Sequence, residues 1–175
     1  MNKTLDSKLL KEFLKLAASK LEGEWLLVGG TLLPAVGLHV RATVDIDIVG
    51  LGKKEATQSL ELMELAEALG LSVETINQAA KFFVEKAGYN KEDLLPLMKG
   101  KSATIFRPSV ALYWKLKSSR LSETDLIDCQ HYLHYCRGQN DKIDEGKLLK
   151  ILNDAEKSQA TPEFRKRLAS LRQLV

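Results

Sequence analysis

The fold is decided by residues 26–50, LLVGGTLLPAVGLHVRATVDIDIVG. The apolar run that enters this stretch ends at Gly29 and Gly30, a glycine pair that lets the backbone turn tightly and approach a ligand closely. Thr31 follows at the position expected for a helix N-cap, and a helix N-terminus offers N–H groups to a phosphate. The pattern predicts a strand, a glycine turn, a short helix and a second strand.

The second predicted strand, residues 43–49, alternates between apolar and acidic side chains. Val44 and two isoleucines share one face, and Asp45 and Asp47 share the other. Two like charges repel unless a cation lies between them, and carboxylate oxygens suit Mg²⁺. The pair therefore predicts a site for Mg²⁺ or Mn²⁺. Taken singly, a glycine pair is typical of an ordinary turn, and two alternating acids are typical of a solvated strand face.

The combination of GGT, a short helix and RATVDID resembles the signature of the nucleotidyltransferase-fold superfamily. It is most similar to the bacterial abortive-infection (type IV toxin–antitoxin) nucleotidyltransferases and their uncharacterised relatives, over residues 28–48. The resemblance implies that Asp45 and Asp47 hold the metal against a nucleoside triphosphate and that the glycine turn binds the β- and γ-phosphates. In this interpretation Arg41 orients the carboxylates or contacts a phosphate.

A weaker similarity to the same family covers residues 108–133, which include ALYWKLKSSRLSETDLIDCQHYL. In the family a lysine of a Lys-Leu pair is followed by an arginine, a short turn and an Asp-x-x-Asp on the next helix. The matching residues are Lys115, Arg120, Asp125 and Asp128. The resemblance implies catalytic roles for Lys115, Asp125 and Asp128 and places the lysine and one aspartate at the metal site. The alternative is a set of surface charges or an ion-pair network, and for Arg120 that alternative is preferred.

The sequence departs from the family at one position that matters for catalysis. Many active members carry a third carboxylate on a later strand, where it acts as a base or binds a second metal. The strand predicted at residues 103–106 contains no acid. Either Asp125 or Asp128 replaces that carboxylate, or the base is absent.

The predicted fold is an α/β domain, a nucleotidyltransferase-like small mixed β-sheet flanked by helices, with a helical C-terminal part. Residues 1–107 are expected to form the α/β core, and residues 108–175 the helical part packed on it. The three predicted strands are residues 25–29, 43–49 and 103–106. The predicted helices are residues 6–21, 55–69, 75–87, 91–98, 108–120, a helix beginning at 122, 144–157 and 161–174.

Composition is ordinary for a globular protein: 175 residues, 45% hydrophobic, 28% charged and a net charge of +3. The N-terminal residues contain no continuous apolar segment, and no apolar run reaches membrane-spanning length, so we expect a cytoplasmic protein with no membrane partner. Cys129 and Cys136 lie seven residues apart on one predicted helix, too far apart for a disulfide. They are expected to be free, buried thiols.

Three functions are consistent with these patterns. The first is a Mg²⁺-dependent nucleotidyltransferase that moves a nucleoside monophosphate from a triphosphate to a hydroxyl of RNA (tRNA) or protein; a toxin neutralised by a cognate antitoxin is one version. The second is a catalytically weak or inactive nucleotide-binding or protein-interaction module on the same fold. The third is a basic RNA-binding helical protein, suggested by a C-terminal strip of Arg165, Lys166, Arg167 and Arg172.

Overall fold

The computed structural model describes residues 5–159 and 161–175. This part of the chain contains a five-stranded mixed sheet and eight α-helices, which confirms the predicted α/β class. The strands are β1 Gly23–Leu27, β2 Ile46–Gly50, β3 Ile76–Asn77, β4 Leu94–Lys99 and β5 Ala103–Pro108. The helices are α1 Ser7–Lys20, α2 Leu32–Ala35, α3 Ser59–Ala68, α4 Ala80–Ala87, α5 Val110–Ser118, α6 Glu123–Gly138, α7 Glu145–Ser158 and α8 Pro162–Arg172.

The strands lie in the order β3-β2-β1-β5-β4, so β1 is the central strand. It runs antiparallel to β2 and parallel to β5, and Leu26 lies opposite Val49 on one side and Phe106 on the other. The Trp25 and Leu26 side chains are completely buried, as expected for a strand with neighbours on both sides. The two predicted strands therefore lie next to each other in the middle of the sheet, and the glycine turn and α2 connect them.

One face of α1 packs into this core through Leu10, Phe13 and Ala17, which are fully buried. The spacing of these residues is that of an amphipathic helix. Asp6 caps the helix by accepting a hydrogen bond from the Leu9 N–H at 2.7 Å. The helix predicted at residues 6–21 is confirmed.

Residues 91–98 do not form the predicted helix. A 3₁₀ turn, Lys91–Asp93, leads directly into β4. Pro96 lacks the N–H that a helix interior requires, whereas an edge strand tolerates proline. β4 is an edge strand, and its pairing with β5 shifts register between Pro96 and Met98. The prediction was wrong because four apolar residues near a proline were assigned to a helix.

The helix predicted at residues 75–87 begins later than expected. Its first residues form β3, a two-residue strand that pairs in parallel with β2. The Asn77 side chain then accepts a hydrogen bond from the Ala79 N–H at 3.0 Å, and this local bond turns the chain out of the strand before α4. Similarly, β2 begins at Ile46 rather than at residue 43, and Val44 is 70% exposed instead of lying on the buried face.

The chain divides into two compact units. The first consists of Met1–Lys86 and Leu94–Pro108, and the second of Ala87–Asp93 and Ser109–Val175. The first unit ends at Pro108, one residue after the predicted boundary at residue 107. The segment Ala87–Asp93, which precedes β4, belongs to the second unit instead of the first. Among the described residues, no helix is long and apolar enough to cross a membrane.

Aromatic packing and a buried hydrogen bond hold the second unit together. The Tyr113 and Tyr132 rings lie 4.6 Å apart between centroids, and the Trp114 indole N–H donates to the Cys129 carbonyl at 3.1 Å. Cys129 and Cys136 are buried thiols that form no disulfide, as predicted. Burial raises the pKa of the Cys129 thiol well above its usual value, so the thiol is held in its protonated form.

Candidate functional site

The glycine turn lies directly against two charged side chains of the predicted site. Gly29 has a φ of +67°, and a Cβ atom built there would lie 1.9 Å from the Asp47 Oδ2 atom. A Cβ atom on Gly30 would lie 2.2 Å from an Arg41 terminal nitrogen. A side chain at Gly29 would displace the Asp47 carboxylate, and one at Gly30 would displace the end of the Arg41 side chain. Four predicted site residues therefore meet at this turn.

Thr31 is buried and has a different role from the predicted one. Its backbone is helical, with φ −65° and ψ −25°, and its side chain does not cap the four-residue helix α2. The hydroxyl instead donates to the Asp45 carbonyl and accepts a 3.4 Å hydrogen bond from the Asp47 N–H. Thr31 thus fixes the start of β2 against the turn. Thr31 occupies the predicted N-cap position of α2 without making a side-chain capping bond, and phosphate binding by the turn stays a prediction.

The two aspartates have different surroundings. Asp45 precedes β2 and is exposed, whereas Asp47 lies within β2 and is half-buried. The Asn77 amide on β3 donates to Asp47 Oδ1 at 2.6 Å, and these two residues are paired in the sheet. A charge-assisted hydrogen bond of this kind holds the carboxylate in one orientation. Asp45 remains the more accessible of the two.

Asn77 is the site residue that the sequence did not reveal. The strand expected to carry a third carboxylate, residues 103–106, became β5, which pairs with β1 and β4. The strand next to the Asp47 strand is β3, and its residue opposite Asp47 is an amide. A helix had been predicted there, so Asn77 was not considered. The position beside Asp47 carries a neutral hydrogen-bond donor instead of a third acid.

The donor set limits which metal this site could hold. Among the described residues, no group of three or more His, Cys, Asp and Glu side chains is arranged to bind a metal ion. The site therefore offers two carboxylates, Asp45 and Asp47. Mg²⁺ is commonly bound by one or two carboxylates together with substrate phosphates and waters. Asp45 and Asp47 are donors of the kind that Mg²⁺ takes, and the metal site stays a prediction.

The second block forms a buried ion network. Lys117 Nζ lies 3.0 Å from both Asp125 Oδ1 and Asp128 Oδ2, and Arg120 Nε lies 2.7 Å from Asp125 Oδ2. Both aspartates are fully buried. Burial raises the pKa of Asp125, but the hydrogen bond from Arg120 and the charge of Lys117 outweigh this effect and hold the pKa far below its usual range. The contacts of Arg120, Asp125 and Asp128 are those of the ion-pair network given above as the alternative to catalytic roles.

Lys115 lies outside this network. Its ammonium donates to the Ala87 carbonyl and lines a cavity of about 310 Å³ together with Asp93 and Lys147. Asp93 accepts from Lys147 at 2.9 Å and from Ser109 at 2.8 Å. Burial raises the pKa of Asp93, but these bonds lower it below the usual value. Lys117, rather than Lys115, is therefore the lysine that contacts the Asp-x-x-Asp pair. The catalytic roles predicted for the second block stay predictions.

A second cavity lies beside the glycine turn in the first unit. Its volume is about 380 Å³, and its lining includes Ser7, His39, Arg41 and Thr43. The Ser7 hydroxyl oxygen and His39 Nδ1 are 3.1 Å apart. Arg41 also lies against Gly30, so one side chain joins the cavity to the turn. The sequence did not single out this histidine.

Comparison of the chain with known protein families, with curated proteins and with solved structures finds no match. The resemblance to nucleotidyltransferases therefore depends on the motif residues themselves. Its stronger part, residues 28–48, contains the glycine turn and the two aspartates.

Proposed function

We propose that the protein is a Mg²⁺-dependent nucleotidyltransferase that moves a nucleoside monophosphate from a triphosphate to a hydroxyl of RNA or protein. The observation that carries the proposal is the contact of Gly29 and Gly30 with the Asp47 carboxylate and the Arg41 guanidinium. A turn without side chains, between an anion and a cation, is a surface on which a phosphate chain and its metal can lie close to the backbone.

In this proposal Asp45 and Asp47 hold Mg²⁺, which when bound neutralises the phosphates and aligns the attacking and leaving oxygens. The Asn77 amide keeps Asp47 oriented. Arg41, which lies against Gly30, would supply a positive charge to the phosphates. These groups stabilise developing charge by position, which is the main form of catalysis in phosphoryl and nucleotidyl transfer.

A second candidate is a nucleotide-binding module without transfer activity. It is favoured by Asn77, which occupies the strand position beside Asp47 without supplying a third acid. It is also favoured by the burial of Asp125 and Asp128 in an ion network that uses their oxygens. Both candidates predict nucleotide binding, and only the first predicts transfer.

The test is to incubate the protein with each α-labelled nucleoside triphosphate, Mg²⁺ and total tRNA, and to measure label in RNA and in protein. Melting temperature is recorded in parallel, because a ligand that binds only the folded state raises it. We expect label transfer and a melting shift in the wild type. The double variant Asp45→Asn/Asp47→Asn should lose the melting shift and at least about 10²-fold of the transfer rate.

The matched control is Glu64→Gln/Glu67→Gln, which removes two acids from exposed positions of α3 in the same unit. It has the same change in net charge, and it should keep both the shift and the transfer. A melting shift without transfer to any acceptor would select the binding module. Neither effect in the wild type would refute both candidates. Growth arrest on expression that requires Asp45 and Asp47, and that a neighbouring gene relieves, would identify the toxin version.

A further inference from the structure

The proposed transfer requires a group that accepts the proton of the attacking hydroxyl. Among the residues that the structure describes, Asn77 occupies the β3 position paired with Asp47, and β5, the strand expected to supply a third acid, contains none. Asp125 and Asp128 are buried and bonded to Lys117. Asp6 lines the cavity beside the glycine turn, but its carboxylate accepts a 2.7 Å hydrogen bond from the Leu9 N–H as the cap of α1. The other base on that cavity is an imidazole, His39.

His39 is a side chain of the right chemistry beside the glycine turn. His39 is exposed and lines the same cavity as Arg41 and Thr43. Thr43 lies two residues before Asp45 in the sequence. Its Nδ1 atom is 3.1 Å from the Ser7 hydroxyl. When Nδ1–H donates to that oxygen, the Nε2 lone pair remains available, and a neutral imidazole with an available Nε2 is a common general base.

We propose that His39 is the general base of this enzyme, that Ser7 positions it, and that the cavity beside them binds the acceptor hydroxyl. This inference rests on the proposed function. The acceptor oxygen forms a bond to the α-phosphorus, and its proton passes to His39 Nε2. The bond between the α-phosphorus and the bridging oxygen breaks, and its electron pair leaves with pyrophosphate.

The cavity favours an RNA end as the acceptor. Its volume of about 380 Å³ suits one nucleotide-sized group rather than a folded protein surface. Arg41 gives the wall a cation that attracts a phosphate next to the reacting ribose. His39 is exposed, so a large acceptor can present its terminal hydroxyl while the rest of the molecule stays outside.

The test compares His39→Gln with His134→Gln, a change of an exposed histidine on α6 in the other unit. Each variant is assayed for label transfer from α-labelled triphosphate to total tRNA, and for its melting shift with triphosphate and Mg²⁺. Loss of a general base costs about 10²–10⁴-fold in rate. We expect this loss for His39→Gln with an unchanged melting shift, and no loss for His134→Gln. Added imidazole should restore part of the rate of a His39→Ala variant.

Ser7 gives a second, graded readout. Ser7→Ala should lower the turnover rate without changing the concentration of triphosphate required for half-maximal rate, and Ser7→Thr should retain the wild-type rate because it keeps the hydroxyl. Wild-type transfer by His39→Gln would overturn the assignment of the base. Label found only in protein would overturn the RNA acceptor. Absence of transfer in the wild type would instead refute the proposed function, so the two failures are distinguishable.

Discussion

Gly29→Ala is the sharpest single test of the site geometry. Gly29 combines a left-handed backbone, φ +67°, with a Cβ position only 1.9 Å from the Asp47 carboxylate. Gly37 is the matched control in the same unit, because its φ is +88° and a Cβ atom there meets nothing within 4 Å. Gly88, with a φ of +68° and equally open space, controls for the backbone angle. Alanine imposes the same kind of backbone strain at all three positions.

The expected magnitudes follow from these contacts. Left-handed backbone costs a non-glycine residue about 1–2 kcal/mol, which is the whole expected effect at Gly37 and Gly88. At Gly29 the new methyl group must also push Asp47 away from Asn77. That charge-assisted bond contributes about 1.5–3 kcal/mol, so Gly29→Ala should destabilise by about 2.5–5 kcal/mol. A loss of 1 kcal/mol in stability lowers the melting temperature by about 2–4 °C, so the difference in melting temperature between the variants is easily measured.

Urea titration gives the three free energies of unfolding, and the melting shift with triphosphate and Mg²⁺ reports binding. We expect the shift to disappear in Gly29→Ala and to persist in Gly37→Ala and Gly88→Ala. Equal destabilisation of all three variants, with nucleotide binding retained in Gly29→Ala, would refute the contact between the turn and Asp47. It would also remove the observation on which the proposed function depends.

Lys117→Met should destabilise the protein by about 3–5 kcal/mol in urea titration, because it removes the ammonium that two buried carboxylates share, whereas Lys115→Met should cost less than about 1 kcal/mol. Since the pKa of Asp125 is lowered in the folded state, its contribution to stability is present at neutral pH and should decline as the pH falls below about 3.9, the ordinary aspartate value. Thr31→Val should lose about 0.5–1.5 kcal/mol by removing the hydroxyl's hydrogen bonds to the Asp45 carbonyl and the Asp47 N–H, and Thr31→Ser should restore most of it.

The long, strongly patterned elements were predictable from the sequence. The amphipathic spacing of α1 and the caps at Ser122 and Thr161 locate helices whose ends the structure places within a few residues. Short strands were not predictable in the same way. β3 has two residues and too little periodicity to detect, and β4 contains a proline that is tolerated only because the strand lies at the edge of the sheet.

The candidate site was predictable in part for a similar reason. The glycine turn and the D-x-D strand are contiguous in sequence, so local pattern places them together. Asn77 contacts Asp47 through strand pairing, and His39 lines the cavity with Arg41 through loop packing. Such contacts leave no spacing signal in the chain. The asparagine before a helical run was the available signal, because asparagine favours the turn that ends a strand. The ion network of Lys117 was missed because Lys115 and Lys117 both lie on α5, and only packing distinguishes them.

The amide at residue 77 has a consequence for charge. Three carboxylates at adjacent positions carry three negative charges, one more than a single divalent cation balances. Two carboxylates and an amide carry two negative charges, which one Mg²⁺ balances. The Asn77 amide also stabilises the Asp47 carboxylate before a metal binds, because it donates a hydrogen bond to that carboxylate. A site arranged in this way has no carboxylate left to accept a proton. If it transfers nucleotides, the proposed proton acceptor is the exposed imidazole of His39, on the cavity that shares Arg41 with the glycine turn.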